Sequence, residues 1–193
     1  MPSDTSYVPA ARSGSYPVRA GNVVRPLVDG GPAFRRICAA VETAERSVWV
    51  TVAFVERFLV LPDGGTFFDL LERAVARGLD VRVVFWREPG LDPSPGPGWD
   101  IFTGNAAERA WLAERGSRVR ARWDHLPQGC HHQKSWIIDA GAPGEVAFVG
   151  GINLDSMSMV EPGHRAPEPA ERDRPPAPVS RRATSKPDVS RRR

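Results

Sequence analysis

The stretch that decides the fold is His131-His132-Gln133-Lys134-Ser135-Trp136-Ile137-Ile138-Asp139, which is followed after ten further residues by Gly150-Gly151-Ile152-Asn153. Its apolar second half is typical of a β-strand, and the side chains of a strand point alternately to its two faces. One face then carries four side chains: His132, Lys134, Trp136 and Ile138. Asp139 falls on the opposite face. An imidazole and an ammonium therefore lie two residues apart, within reach of one small anion.

This pair of side chains suits chemistry at a phosphate. Imidazole acts as a nucleophile or a general acid and base near neutral pH. A lysine ammonium supplies a compact positive charge for a phosphate oxygen. Two strands, 131–139 and 145–149, are separated only by the Gly- and Pro-containing residues 140–144, which predicts an antiparallel hairpin. Such a hairpin brings the start of the first strand close to Asn153.

The residues before the hairpin predict alternating strands and helices. Strands are expected at 22–28, 47–55, 79–86 and 118–122, and helices after Pro32, after Thr66 and over 106–115. The run 47–55 is almost wholly apolar, which is typical of a strand covered on both faces. The Pro- and Gly-rich residues 88–100 predict a loop, a candidate lid over the site. We therefore expect an α/β fold: a mostly parallel central sheet flanked by helices, with an antiparallel hairpin that carries the motif.

Composition predicts one domain, at 22–160, between a flexible arm at 1–21 and a disordered tail at 161–193. The tail contains seven prolines and no aromatic residue, so it has too little apolar surface to bury. It also carries nine Lys and Arg against five Asp and Glu. This excess of positive charge is larger than the net charge of +3 of the whole chain. Because the remaining 160 residues are nearly neutral, the basic pI is weak evidence for a nucleic-acid surface.

The sequence contains no apolar run long enough to span a membrane and no apolar leader. These features predict a cytoplasmic protein, and they leave open whether it associates peripherally with a membrane. Cys130, His131 and His132 could suggest zinc, but a tetrahedral site needs further spaced ligands, for which Cys38 and scattered histidines are the candidates. We therefore expect neither a metal nor another cofactor.

The pattern His132-x-Lys134-x4-Asp139, with Gly150-Gly151-x-Asn153, resembles the signature of the phospholipase D superfamily of phosphodiesterases. The resemblance implies a phospholipase D-like domain in which His132, Lys134 and Asp139 form the catalytic motif. His132 would attack phosphorus, while Lys134, Asn153 and Gly151 would hold the substrate. Ten residues separate Asp139 from the glycine pair where the superfamily usually has six, and the turn at 140–144 explains the extra four.

Strand alternation refines these assignments. Asp139 points away from the face of His132, so we expect it to form structural hydrogen bonds, and we look to Asp155 or Glu161 for the carboxylate that orients His132. Trp136 lies on the His132 face and is the tryptophan expected near a substrate. Trp49 and Trp86 lie in apolar strands and are expected in the core.

The superfamily's active site combines two histidines from two motifs, whereas this sequence contains one motif, because His125, His131 and His164 lack the Lys and Asp that would complete another. The resemblance therefore implies pairing, either in a homodimer or, as we favour, with the second half of an enzyme of which this is the N-terminal half. The expected function is hydrolysis or transfer of phosphatidyl groups, as in the cardiolipin synthase-like branch. Two alternatives stay open: a metal-independent homodimeric nuclease of the superfamily, and a truncated, inactive fragment that binds phosphate or a partner.

Overall fold

The computed structural model describes residues 21–87, 101–102, 104–125, 129 and 131–163. Helices and strands follow one another in the order α1 (Gly30–Glu42), β1 (Ser47–Val52), α2 (Phe67–Ala76), β2 (Asp80–Trp86), α3 (Ala106–Glu114), β3 (Arg120–Asp124), β4 (Lys134–Ile138) and β5 (Val146–Gly150). A short 3-10 helix, Ser156–Ser158, follows β5. The predicted arm at 1–21, except Gly21, the predicted loop at 88–100 and the tail beyond residue 163 lie outside the described residues.

The five strands form one sheet in the order β3-β2-β1-β4-β5. The pairs β1–β2 and β2–β3 are parallel, whereas β1–β4 and β4–β5 are antiparallel. The predicted α/β fold and the predicted motif-bearing hairpin are therefore confirmed. The sheet is mixed, because the hairpin adds two antiparallel strands beside the parallel ones.

Local sequence explains where two of the helices begin. Thr66 accepts a hydrogen bond from the backbone N–H of Asp69, whose side chain in turn accepts one from the N–H of Thr66. Asn105 and Glu108 form the same reciprocal pair at the start of α3. Each pair satisfies two N–H groups that have no partner within the helix, so it fixes the first residue of that helix.

The core lies between the helices and one face of the sheet. Phe67 of α2 packs edge-on against Phe85 of β2 and Trp136 of β4, with ring centroids 6.1 and 5.6 Å apart. Every second residue of β4 points into this core, so Lys134 shares the buried face with Trp136 and Ile138. The predicted strand alternation is thus confirmed at these three positions.

The opposite face of the sheet is only partly covered by the described residues. Trp49 and Thr51 of β1 are half-buried, so the prediction of a strand covered on both faces is wrong for this part of the chain. The guanidinium of Arg82 lies 4.7 Å from the centre of the Trp49 ring. Trp49 and Trp86 both lie on this face, and the prediction that they belong to the core is also wrong.

Several predicted boundaries also differ from the structure. Residues 22–28 form no strand, and Val23 and Val24 are 94% and 89% exposed. β3 begins at Arg120 instead of residue 118, and β4 begins at Lys134, so the backbone of His132 precedes the strand. None of the helices in the described residues is both long and apolar enough to cross a membrane.

The segment that follows β5 packs across the start of α1. Gly31 donates a backbone hydrogen bond of 2.9 Å to the carbonyl of Val160. A Cβ atom on Gly30 would overlap the carbonyl oxygen of Ser158, and one on Gly31 would overlap the carboxylate of Glu161. Glycine is therefore needed at Gly30, where the obstructing atom belongs to the backbone, whereas at Gly31 the nearest atoms belong to the Glu161 side chain, which can move.

Candidate active site

Four of the predicted site residues lie at or just beyond one end of the strands: His132, Lys134, Gly151 and Asn153. Across the strands, Gly150 pairs with Lys134, Lys134 with Val52, and Val52 with Phe85. This row joins the C-terminal ends of β5, β1 and β2 to the N-terminal start of β4. The hairpin and the parallel strands therefore place the residues that follow β1, β2 and β5 around the start of β4.

His132 and Lys134 are in direct contact at this end of the strands. The Lys134 Nζ atom lies 3.0 Å from Nδ1 and 2.9 Å from Nε2 of His132, and it donates to the His132 carbonyl at 3.3 Å. Lys134 is 6% exposed, whereas His132 is exposed. The arrangement is a buried ammonium beneath an accessible imidazole. A fixed ammonium next to an accessible imidazole attracts a small anion.

One aromatic side chain that sequence reasoning did not assign to the site, Phe54, borders His132, and Trp86 packs against Phe54. The ring of Phe54 lies edge-on to His132, with a centroid distance of 5.5 Å, and edge-on to Trp86 at 5.2 Å. The Lys134 Nζ atom is 6.0 Å from the centre of the same ring. Phe54 lies two residues after the end of β1, whereas the sequence predicted a strand through residue 55, so its place beside His132 was not predicted.

Asn153 and Gly151 follow β5, at the end where Gly150 pairs with Lys134. The Asn153 Oδ1 atom is buried and has no hydrogen-bond partner among the described residues. Buried polar atoms are nearly always paired, so an unpaired one marks a place for a ligand or a water molecule. Gly151 is exposed, and a Cβ atom there would meet nothing within 4 Å. Gly151 thus borders open space, and the Asn153 amide oxygen is available to a ligand or a water molecule.

Asp139 lies at the other end of β4. Its carboxylate accepts hydrogen bonds from the backbone N–H groups of Glu45, Arg46 and Ser47, at 3.1, 2.7 and 3.0 Å. Burial works against ionisation, but these hydrogen bonds outweigh it and lower the pKa of Asp139 below its ordinary value. Asp139 therefore holds the hairpin to the start of β1, which is the kind of structural role that strand alternation predicts.

The two carboxylates considered as partners of His132 have other contacts. Asp155 accepts a 2.8 Å hydrogen bond from the backbone N–H of Ser158. Glu161 forms a bidentate ion pair with Arg35, at 2.5 and 2.9 Å. Within the described part of the chain, neither carboxylate is hydrogen-bonded to His132.

Trp136 was expected near a substrate, and the structure places it elsewhere. The side chain is 3% exposed and packs against Phe67 in the core. It shares the face of Lys134 but lies one step further into the protein, under the helices. We therefore omit Trp136 from the site, and Phe54 and Trp86 are the aromatic residues that border it.

No group of three His, Cys, Asp or Glu side chains suited to a metal ion occurs among the described residues. Cys130, which was weighed as a ligand, lies outside them.

An exposed imidazole in contact with a buried ammonium is a combination that can bind and react with a small anion such as phosphate. A comparison with known protein families is consistent with a phosphate-handling site. The family described as cardiolipin synthase, PLD-like domain, matches residues 37–163, and the chain belongs to this phospholipase D-like family. The match includes every site residue described above.

Individual relatives are more distant. The chain is 28% identical to phospholipase D A of Dictyostelium discoideum over 149 residues and to phospholipase D zeta 1 of Arabidopsis thaliana over 158 residues. These alignments cover 72% and 74% of this chain but 11% and 14% of the relatives, so the chain spans less than a sixth of their length. A crystal structure of Nuc from Salmonella typhimurium, a phospholipase D family member, matches 67% of this chain and 69% of its own, with 23% identity and a TM-score of 0.43.

Proposed function

We propose that this domain contributes a catalytic half-site of a phosphodiesterase that works through a phosphohistidine intermediate. The observation that carries the proposal is the contact between the buried Lys134 ammonium and the exposed His132 imidazole. The ammonium neutralises charge on the non-bridging oxygens, while the imidazole stays accessible to phosphorus. Family membership and the unpaired amide oxygen of Asn153 support the same reading.

The reaction proceeds in two displacements. A ring nitrogen of His132 attacks phosphorus, the bond to the leaving oxygen breaks, and that oxygen takes up a proton. Water or an alcohol then attacks phosphorus, the phosphorus–nitrogen bond breaks, and the attacking oxygen loses its proton. Water gives hydrolysis, and an alcohol gives transfer. Lys134 and the Asn153 amide stabilise the oxygens in both steps.

The proton for the leaving oxygen needs a general acid opposite His132. The chain contains one copy of the motif, so we propose that a second motif-bearing unit supplies it, either another copy of this chain or a partner. This pairing makes the domain one half of a complete site. An unpaired domain then binds phosphate but turns over slowly.

A phospholipid is the substrate that the described surface favours. Phe58 and Met157 are 57% and 90% exposed, and they lie on neighbouring turns, because the Glu56 side chain contacts the backbone of Ser156. These turns lie next to the site, and exposed apolar side chains there suit an acyl chain or a bilayer surface. The near-neutral charge outside the tail gives little attraction for a nucleic-acid backbone.

The test is hydrolysis of a chromogenic phosphodiester by the purified chain and by His132→Ala, with and without EDTA. We expect activity that survives EDTA, disappears in His132→Ala and rises with protein concentration as copies pair. Parallel assays on phosphatidyl vesicles and on single-stranded DNA separate the phospholipase from the nuclease. Activity that is retained in His132→Ala would contradict the proposal.

A further inference from the structure

The proposed site is assembled from two separate parts of the chain that a third part holds together. His132 and Lys134 come from the start of β4, whereas Asn153 comes from the segment after β5. Residues 54–56, which follow β1, contact both. Phe54 packs against the His132 ring, and Val55 pairs in a parallel bridge with Leu154, the neighbour of Asn153.

Glu56 makes the side-chain contact in this connection. Its backbone N–H donates to the Leu154 carbonyl at 2.8 Å, and its Oε2 atom accepts a 2.6 Å hydrogen bond from the backbone N–H of Ser156. The peptides on either side of Asp155, two residues after Asn153, are thus both tied to Glu56. Hydrogen bonds from N–H groups to a carboxylate are shorter and stronger than those between neutral groups.

Burial makes this connection rigid. Val55 and Leu154 are 0% and 1% exposed, so the bridge between them is fixed in the core. The Asn153 amide lies directly before this fixed point, and its Oδ1 atom is buried without a partner in the described chain. Its orientation therefore depends on the backbone that Glu56 holds.

We propose that Glu56 is a positioning residue that sets the Asn153 amide relative to His132 and thereby shapes the phosphate-binding site. This inference rests on the proposed function for the identity of the anion. Glu56 itself touches no reacting atom in this scheme; it acts through Leu154 and Ser156. Small displacements of a positioned group reduce rates strongly, so losing this tether is expected to cost on the order of tenfold in kcat.

Three variants test the proposal. Glu56→Ala removes the acceptor, and Glu56→Gln keeps a side-chain oxygen that can still accept from Ser156. The matched control is Glu145→Ala, because the Glu145 carboxylate also accepts a backbone hydrogen bond, from Gly141 at 2.5 Å, but in the hairpin turn at the opposite end of the sheet. Each protein is examined for inorganic phosphate binding, for the NMR resonances of the Asn153 side-chain amide and for kcat on the soluble diester.

We expect Glu56→Ala to shift the Asn153 amide resonances, to weaken phosphate binding and to lower kcat about tenfold. Glu56→Gln should recover most of these losses, and Glu145→Ala should show none. Unchanged Asn153 resonances and phosphate affinity in Glu56→Ala would overturn the proposal, as would equal effects in Glu145→Ala. If the wild type binds phosphate but hydrolyses no diester, the proposed function fails while the resonance and binding data still decide the role of Glu56.

Discussion

The Lys134 ammonium lies 2.9 Å from Nε2 of His132, and the lysine is buried while the histidine is exposed. The two residues are separated by one position in the sequence, yet they occupy different environments. Lys134 is the first residue of β4 and points with Trp136 towards the helices, whereas His132 precedes the strand. The proposed anion site thus has a buried positive charge on Lys134 and an accessible imidazole on His132, the proposed nucleophile.

Removing the positive charge of Lys134 should lower activity far more than stability. Lys134→Met keeps the length and volume of the side chain but loses the ammonium, so we expect diester hydrolysis to fall by roughly 100-fold or more. The melting temperature should change much less than turnover, because methionine keeps the volume of the buried side chain. Turnover and thermal unfolding measure the two effects. Arg120→Met removes an exposed positive charge at the far end of β3 and should leave both unchanged.

Asp139 should matter for stability at neutral pH. Asp139→Asn keeps a residue that tolerates the positive φ of 54° but weakens the hydrogen bonds from Glu45, Arg46 and Ser47. We expect a loss of about 1 kcal/mol in the free energy of unfolding, measured by urea denaturation.

The pH dependence of that loss follows from the lowered pKa of Asp139. A carboxyl with a lower pKa in the folded state stabilises fully above its unfolded pKa, about 4, and loses this contribution as the pH falls through the folded value. The stability difference between wild type and Asp139→Asn should therefore be constant near neutral pH and shrink below about pH 4. A difference that grows on acidification would contradict the assigned role.

The glycines at the start of α1 should be intolerant of a side chain. Gly30→Ala places a methyl group against the carbonyl of Ser158, and a backbone atom cannot move aside as a flexible side chain can. We expect destabilisation of about 1–3 kcal/mol in chemical denaturation. Gly144→Ala in the hairpin turn is the control, because a Cβ atom there meets nothing within 4 Å. Equal stability of the two variants would show that the segment after β5 does not pack on α1 as described.

The tryptophans give a test of which aromatic residue borders the site. Trp136→Ala empties a buried position and should cost about 3–5 kcal/mol of stability. Trp86→Ala removes a half-buried ring that supports Phe54 beside His132, so it should reduce turnover with a smaller effect on stability. Thermal melts and diester kinetics on both variants distinguish these outcomes. The reverse pattern would return Trp136 to the site.

Patterns among residues close together in the sequence were sufficient to predict much of this structure. The alternation of β4 placed Lys134 and Asp139 on opposite faces, and the spacing of Gly and Pro predicted the hairpin that brings Asn153 to the same edge. A helix was expected after Thr66, and the structure shows Thr66 as its cap, paired with Asp69 only three residues away. These features depend on neighbours in sequence, so a single chain reveals them.

Features that depend on distant contacts were not predicted. Trp136 and Trp86 both lie in apolar strands, and only the side on which the helices pack decides which ring is buried. The need for glycine at Gly30 comes from Ser158, about 130 residues later in the chain. Glu56 likewise has its partner, Ser156, 100 residues away. No local pattern encodes such pairings.

The most direct test of the central proposal is to trap the covalent intermediate. The purified chain is mixed with a phosphodiester in the presence of EDTA, quenched under alkaline conditions that preserve phosphorus–nitrogen bonds, and digested for mass spectrometry. We predict an acid-labile adduct on the peptide that contains His132, present in the wild type and absent in His132→Ala. Diester hydrolysis without any adduct on His132, or an adduct that persists in His132→Ala, would contradict it.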